Sequence, residues 1–271
     1  MFAVELAKLW RRPRTWVSLF LICALPALVA IFLAITHIGP QPGQQPAFLA
    51  AVLANGALFP AAALAIVLPI FLPVAVAVVG GDAVAGEASS GMLRYLLVRP
   101  VRRTTLLLAK LVAMTVFVLA AVVAVAVSGY LIGTNLFHAE PGSVGVTSVS
   151  GPPLSTGQLV LRIVAAVGYV AVSMLGVGAI AMFLSTLSDS SLGAALGALA
   201  MMVASQILVT LDAASSVRPY LPTRYWLAWV DLFRVPILWR DVERGLGIQL
   251  VYVVVFLGAA WANFATKDVT S

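Results

Sequence analysis

The sequence predicts an all-α integral membrane protein with six transmembrane helices, an N-terminal cytoplasmic interfacial helix, and an outer re-entrant or interfacial helical segment before the last span. Composition is the first reason: 62% of the 271 residues are hydrophobic and 10% are charged, whereas a soluble domain carries about 25% charged residues. The second reason is that the apolar residues form long continuous runs, unlike the alternating pattern of a transmembrane barrel strand. Helices also satisfy all backbone polar groups internally, as hydrocarbon requires.

An amphipathic interfacial helix is predicted at residues 1–14. Phe2, Leu6 and Leu9 recur at helical spacing, and the charged residues lie elsewhere on the helical wheel. Such a helix rests on the membrane surface, and Pro13 is expected to end it. Its predicted interfacial anchors are the basic and aromatic side chains Lys8, Trp10, Arg11 and Arg12.

Six apolar runs follow, and each approaches the roughly 20 residues that a helix needs to cross a bilayer. They cover residues 16–35, 56–79, 106–132, 159–184, 192–211 and 248–265. Pro60, Pro69 and Pro73 lie inside the second run and are expected to kink it. Since nothing in the sequence marks a separate soluble part, residues 1–271 are interpreted as a single transmembrane domain.

Basic residues beside the spans predict the orientation, because cytoplasmic loops are enriched in lysine and arginine. Residues 1–14 and 80–105 each hold four such residues, whereas residues 39–55 and 133–157 hold none. We therefore expect a multi-pass protein of the cell membrane with both termini in the cytoplasm. One segment does not fit the rule: residues 212–247, predicted to lie outside, hold five arginines, Arg218, Arg224, Arg234, Arg240 and Arg244.

That outer segment is more than a plain loop. Residues 225–239 are rich in aromatic and aliphatic side chains but are interrupted by Asp231, Arg234 and Pro236. The stretch is too short and too charged to span a membrane. An interfacial or re-entrant helical hairpin is therefore predicted there.

Some kinds of chemistry are missing from the sequence. Its three lysines, Lys8, Lys110 and Lys267, do not stand in a G-x-x-x-x-G-K-[ST] phosphate-binding loop. The single cysteine, Cys23, and the two histidines have no neighbours at metal-ligand spacing. We therefore predict no catalytic residues, no metal site, and no cofactor bound by this chain, which is not itself an enzyme.

Ionisable groups are also rare inside the spans. No acid or histidine falls near a predicted midplane, which argues against a proton-coupled carrier. Lys110 lies near the inner start of the third span, where its side chain can snorkel to the interface. The formal net charge of +6 is explained by topology and anionic lipid head groups, with no nucleic-acid partner. If the protein moves a substrate, energy must come from another chain.

Residues 80–105 form the predicted cytoplasmic coupling loop. Asp82 is expected to cap a short helix at residues 83–90 that bears Glu87, and Gly91 to break it. Residues 92–97 then repeat apolar side chains at helical spacing. A cytoplasmic location accounts for the arginines of this loop, but it does not account for its acids or for the apolar side chains of residues 92–97. The loop is therefore interpreted as a docking site for a partner.

A family resemblance supports that interpretation. The order Glu87, Gly91, Leu93, Pro100-Val101, Arg103 and Lys110 resembles the loop motif of ABC-2 type permeases, the membrane subunits of one class of ABC exporters. Met92 stands where that family usually has threonine. The six spans, the interfacial first helix and the outer segment also resemble the family plan.

The resemblance implies a mechanism. Two permease subunits, identical or different, would pair around a substrate path, and two separate ATPase subunits would hydrolyse ATP with Mg²⁺ beneath them. A path lined by apolar and small residues, as these spans would form, suits export of a hydrophobic drug, lipid or peptide. The predicted contacts with the ATPase are Asp82, Glu87, Gly91, Arg94, Arg99 and Arg103.

Two other classes of function remain open at this point. The chain could be a secondary carrier or channel that needs no ATPase. It could also be a membrane scaffold, or an integral enzyme, that transports nothing. Co-purification with an ATPase would discriminate among these possibilities.

Overall fold

The computed structural model describes residues 1–36, 56–89, 103–137, 146–148, 150 and 152–266. Within these ranges we number eight α-helices in chain order: α1 (Phe2–Arg11), α2 (Pro13–Thr36), α3 (Phe59–Val67), α4 (Phe71–Ser89), α5 (Arg103–Leu136), α6 (Thr156–Leu187), α7 (Ser191–Thr210) and α8 (Trp239–Thr266). Short 3-10 helices occupy Gly56–Leu58, Asp212–Ala214, Arg218–Tyr220 and Ala228–Phe233. Two short antiparallel strands, β1 (Val146–Thr147) and β2 (Pro153–Leu154), pair Val146 with Leu154 and Thr147 with Pro153.

Six of the described helices are long and apolar enough to cross a membrane: α2, α4, α5, α6, α7 and α8. The all-α class and the number of spans are thereby confirmed. Four predicted spans lie inside α2, α5, α6 and α8, and the predicted span 192–211 runs one residue past the end of α7. We call the end of the bundle that carries α1 and the last turns of α4, α6 and α8 the charged end, and the other the opposite end.

The second predicted span, residues 56–79, is wrong as a single helix. The chain instead forms α3, which is too short to span, and then α4 after a break at residues 68–70. Pro69 causes the break because its ring removes an amide and clashes with the preceding turn. Pro60 and Pro73 are tolerated because both lie in the first turn of a helix, where amides lack intrahelical acceptors.

The loop predicted to begin at residue 80 is also corrected. Helix α4 continues through Asp82 and Glu87 to Ser89, so Asp82 lies inside this helix and caps no new one. Gly80 and Gly81 do not break the chain. A Cβ atom on Gly81 would lie 2.8 Å from the backbone nitrogen of Ala195 in α7, so glycine there permits close helix packing.

The core lies around α3. Ala63, Leu64 and Val67 are fully buried, and α3 packs against α5, where a Cβ atom on Gly129 would come within 3.0 Å of the Ala63 Cβ atom. Helices α2 and α8 lie at the periphery and expose large apolar side chains such as Phe20 and Val254. These exposed faces are suited to lipid contact.

Residues 212–238 join α7 to α8 through short 3-10 helices, so the described chain holds no α-helical hairpin there. Prolines at positions 219, 222 and 236 explain the difference, since each one interrupts a helix. The segment nevertheless carries a well-packed apolar face, in which Trp226, Trp229 and Phe233 are buried. Whether this segment re-enters a membrane stays a prediction.

Candidate coupling site

The junction between α1 and α2 fixes the position of the N-terminal helix. Arg12 adopts an extended conformation, as expected for a residue that precedes a proline, and Pro13 begins α2. The Thr15 hydroxyl donates to the Leu9 carbonyl oxygen at 2.7 Å, and the Trp16 indole donates to the Trp10 carbonyl oxygen at 2.8 Å. These bonds satisfy carbonyl groups at the end of α1 that would otherwise lack donors, so the angle between the helices is held.

Four side chains from α1, α4 and α5 form a closed ring of alternating charge. The Lys8 ammonium lies 2.9 Å from Glu5 Oε1 and 2.9 Å from Glu87 Oε1. The Lys110 ammonium lies 2.7 Å from Glu87 Oε2 and 3.4 Å from Glu5 Oε2. Each charge therefore has two neighbours of opposite sign. We call Glu5, Lys8, Glu87 and Lys110 the ion ring.

The ion ring is largely removed from water. The side chains of Glu87 and Lys110 are each 3% exposed, and that of Glu5 is 11% exposed. Ionised groups at such positions need partners, since removing one partner from a buried ion pair costs about 3–5 kcal/mol. The ring therefore constrains α1, α4 and α5 to one relative arrangement.

The two members on α1 show how the ring affects ionisation. Burial alone would raise the pKa of Glu5, but the ammonium groups of Lys110 and Lys8 outweigh burial and hold that pKa below its ordinary value of 4.5. Burial would likewise lower the pKa of Lys8, but its bonds to Glu5 and Glu87 raise it above 10.5. Both residues are therefore charged at neutral pH.

Asp82 adds a second connection between α4 and the α1–α2 junction. Its carboxylate accepts a hydrogen bond from Arg12 and lies 3.6 Å from the guanidinium of Arg14. The Asp82 side chain is 13% exposed, whereas that of Arg14 is 70% exposed. Because exposed pairs contribute little, Arg12 is the more important partner.

The charged end of α4 is also fixed to α6. The buried Ser185 hydroxyl donates to the Gly81 carbonyl oxygen at 2.6 Å. The same hydroxyl oxygen accepts from the backbone amides of Val84 and Ala85 at 3.0 and 2.8 Å. Arg103 at the start of α5 donates to the carbonyl oxygens of Phe264 and Ala265 at the end of α8. The helix dipole of α8 stabilises a cation at that end.

The structure places the predicted site residues in three groups. Gly91, Arg94 and Arg99 lie outside the described residues. Asp82, Glu87 and Arg103 are described, and all three bond to other parts of this chain. Direct contact of these residues with an ATPase stays a prediction, and the burial of Glu87 gives it no support.

Among the predicted anchors, Lys8 and Arg12 bind acids of this chain, whereas Trp10 and Arg11 are exposed. The Trp10 ring lies 5.6 Å from the Trp16 ring between centroids.

Sequence reasoning missed two members of the ion ring. Glu5 was considered only as part of a polar face, and Lys110 was expected to snorkel toward water. Lys110 is instead buried between two carboxylates. The signal that could have found it is the coincidence of a lysine inside an apolar span with a Glu-x-x-Lys pair on a nearby amphipathic helix.

Comparison with known proteins identifies the family of this chain. Residues 1–220 match the sequence model of a family described as ABC-2 family transporter protein. A search of curated proteins finds no match to this sequence. The matched region contains α1, the ion ring and five of the six helices that are long enough to span. Because the match covers well over half of the 271 residues, this chain belongs to the ABC-2 family of transporter proteins.

Proposed function

We propose that this chain is the permease subunit of an ABC exporter, driven by ATP hydrolysis on separate subunits. Membership of the ABC-2 family supports a membrane component of an ABC transporter. The observation that carries the coupling is the ion ring, which joins α1 to the last turn of α4 and the first turns of α5. Residues 90–102, the centre of the proposed coupling loop, connect those same two helices.

The ion ring supports movement of these elements as one body. An ATPase that pushes on α1 or on residues 90–102 would displace α4 and α5 together, because Glu87 and Lys110 bind each other as well as α1. Packed helices transmit such displacements as rigid elements. Asp82 and Glu87 then act by holding α1 in place, while Arg94 and Arg99 meet the ATPase.

The complete assembly would contain two permease subunits, identical or different, and two ATPase subunits that bind ATP and Mg²⁺. The charged end would face the cytoplasm of the cell and carry both termini. The substrate would be a hydrophobic drug, lipid or peptide. Among the described spans the lysine, arginine, aspartate and glutamate residues lie within the first or last eight residues of a helix, which is compatible with an external source of energy.

The first test is co-purification followed by charge reversal. Tagged protein is purified from its native membranes in mild detergent, and ATP hydrolysis is measured in the eluate. We expect a P-loop ATPase to co-purify. Arg94→Glu is expected to lower the recovered ATPase activity about tenfold, since loss of a charge-assisted contact removes about 1.5–3 kcal/mol of binding free energy.

The matched control is Arg240→Glu, which reverses an exposed arginine at the opposite end and should leave recovery unchanged. The proposal is refuted if no ATPase accompanies the protein and reconstituted vesicles transport substrate without ATP. That result would favour a secondary carrier.

A further inference from the structure

A cavity of about 180 Å³ lies where the break between α3 and α4 faces the segment before α8. Its walls are Leu68 and Pro69 from the break, residues of α7 including Gln206, and Thr223, Arg224 and Trp226 from that segment. We call this space the break cavity. Discontinuous helices often form part of the substrate site of a transporter.

The segment that forms one wall of the break cavity is held by hydrogen bonds to three helices. The Thr223 and Ser205 hydroxyl oxygens lie 2.7 Å apart. Gln249 donates its amide to the Pro222 carbonyl oxygen at 2.6 Å, and the Tyr169 hydroxyl donates to the Tyr225 carbonyl oxygen at 2.6 Å. Arg224 and Trp226 are thus presented on a fixed backbone, as a preorganised binding site requires.

The charge of the break cavity comes from Arg224. This segment has other arginines, but Arg218 pairs with Asp212 and Arg234 pairs with Asp231. Within the described ranges no carboxylate pairs with Arg224, whose exposed guanidinium lies 5.8 Å from the centre of the neighbouring Tyr225 ring. A guanidinium in this situation is suited to an external anion such as phosphate or carboxylate.

Two further donors lie in the cavity wall. The indole N–H of Trp226 is buried and finds no acceptor in the described part of the chain. A buried donor without an acceptor destabilises the protein, and an incoming oxygen atom would relieve that cost. The side-chain amide of Gln206 is half-buried and supplies another donor.

The remaining walls and the depth of the cavity indicate the rest of the ligand. Leu68 and Leu227 supply apolar surface. The 19 residues of α4 span about 28 Å at 1.5 Å per residue, close to the roughly 30 Å hydrocarbon thickness of a bilayer. With the charged end at one head-group layer, the break cavity falls at the level of the opposite head-group layer.

We propose that the break cavity binds the anionic head group of an amphiphilic substrate. This inference rests on the proposed transport function and narrows its substrate class to amphiphiles with a phosphate or carboxylate group. Arg224 pairs with the anion, Gln206 and Trp226 donate to its oxygen atoms, and the hydrocarbon chain leaves past Leu227 into the membrane.

The test measures binding to the chain alone, in nanodiscs of zwitterionic phosphatidylcholine and without any ATPase. The probe is dodecyl phosphate, and the signal is tryptophan emission, with nanodiscs that lack the protein as the blank. We expect saturable binding that Arg224→Gln weakens about tenfold or more, and that Arg224→Lys weakens less. Trp226→Phe should reduce the size of the signal. Arg240→Gln, which removes an exposed arginine near the same end, should bind as the parent does.

Three results would overturn the proposal. Equal binding of dodecyltrimethylammonium would exclude recognition of an anion, and equal binding of inorganic phosphate would exclude an amphiphile. Unchanged affinity of Arg224→Gln would exclude this cavity. Unfolding temperature and gel filtration check that each variant is folded. Because the assay contains no ATPase, the binding proposal can be refuted while co-purification supports the proposed function. The proposed function can likewise be refuted while the cavity is shown to bind the probe.

Discussion

At the scale of single residues, Glu87 is a buried carboxylate held between two ammonium groups. Its carboxylate lies within 2.9 Å of Lys8 and within 2.7 Å of Lys110, and its side chain is almost completely buried. Reversing the charge of this side chain would leave the two buried ammonium groups around it without compensation. The role of this charge can therefore be tested by reversing it alone and then together with the other charges of the ion ring.

Charge reversal at Glu87 should destabilise the protein, and reversal of the whole ring should restore stability. Glu87→Lys places three cations together, and we expect a loss of at least about 3–5 kcal/mol, the cost of breaking a buried pair. The fourfold variant Glu5→Lys, Lys8→Glu, Glu87→Lys and Lys110→Glu regains alternation around the ring. Thermal unfolding in detergent, followed by tryptophan emission, measures both effects.

The control for this series is Glu243→Lys, which reverses an exposed glutamate of α8 and should leave the unfolding temperature unchanged. If Glu87→Lys melted at the temperature of the parent, the ion ring would have no structural role. If the fourfold variant stayed as unstable as Glu87→Lys, position and side-chain length would matter more than alternation.

The sequence identified Asp82 and Glu87 as unusual but not their partners. An acidic residue stands out in a mostly apolar chain, and the order of residues shows that it lies close to a family motif. The partners of Glu87, however, are Lys8 and Lys110, which lie 79 and 23 residues away in the sequence. Such separations follow from how helices pack, which local spacing does not specify.

At the scale of elements, α1 depends on Glu5 and Lys8 for its place on the bundle. The pKa of Glu5 is lowered in the folded protein, so its contribution is present above the ordinary value of 4.5 and is lost as the pH falls through the lowered pKa. The pKa of Lys8 is raised, so its contribution is complete below 10.5 and is lost as the pH rises through the raised pKa. Docking of α1 should therefore be constant between these limits.

A nitroxide label on Val4→Cys in a Cys23→Ala background can report this docking, because Val4 is an exposed position of α1. Label mobility should stay low at neutral pH and increase at both extremes. Glu5→Gln should remove the transition in acid and keep the transition in base. Mobility that increases steadily across neutral pH would contradict the ionic account of docking.

The elements also show where sequence patterns succeed and where they fail. Long apolar runs predict α2, α5, α6 and α8 to within a few residues at one end or both, because length and composition decide them. The break at residues 68–70 was expected only as a kink, although Pro69 is visible in the sequence. Whether a proline bends or divides a helix depends on the neighbours that pack there, here including Trp226. Tertiary contact thus decides what local sequence leaves open.

At the scale of the whole molecule, the two ends of the bundle differ in charge and in architecture. The charged end joins α1, α4, α5, α6 and α8 through ionic and polar contacts. The opposite end holds residues 212–247 with five arginines, of which Arg218 and Arg234 pair with acids of the same segment. Those two pairs do not resolve the conflict with the positive-inside rule, because that rule counts basic residues rather than net charge.

Labelling of matched serine-to-cysteine variants tests the orientation of the bundle. Ser89 at the charged end and Ser216 at the opposite end are both exposed. In a Cys23→Ala background, Ser216→Cys should react with a membrane-impermeant maleimide on intact cells, whereas Ser89→Cys should react only after permeabilisation. Reaction of both variants from the same side would refute the six-span topology. If Ser89→Cys reacted on intact cells and Ser216→Cys only after permeabilisation, the charged end would face outside, opposite to the proposed orientation.

The ion ring also has a consequence for the order of assembly during synthesis. Glu5 and Lys8 leave the ribosome early and can pair with each other at once, but Glu87 follows Lys8 by 79 residues and Lys110 follows Glu5 by 105. Until α5 has been inserted, Glu87 lacks one of its two cations, and α1 is held by its bonds to α2 and α4. Closure of the ring therefore requires α1, α4 and α5 to have reached their native places, and it can precede completion of the second half of the bundle.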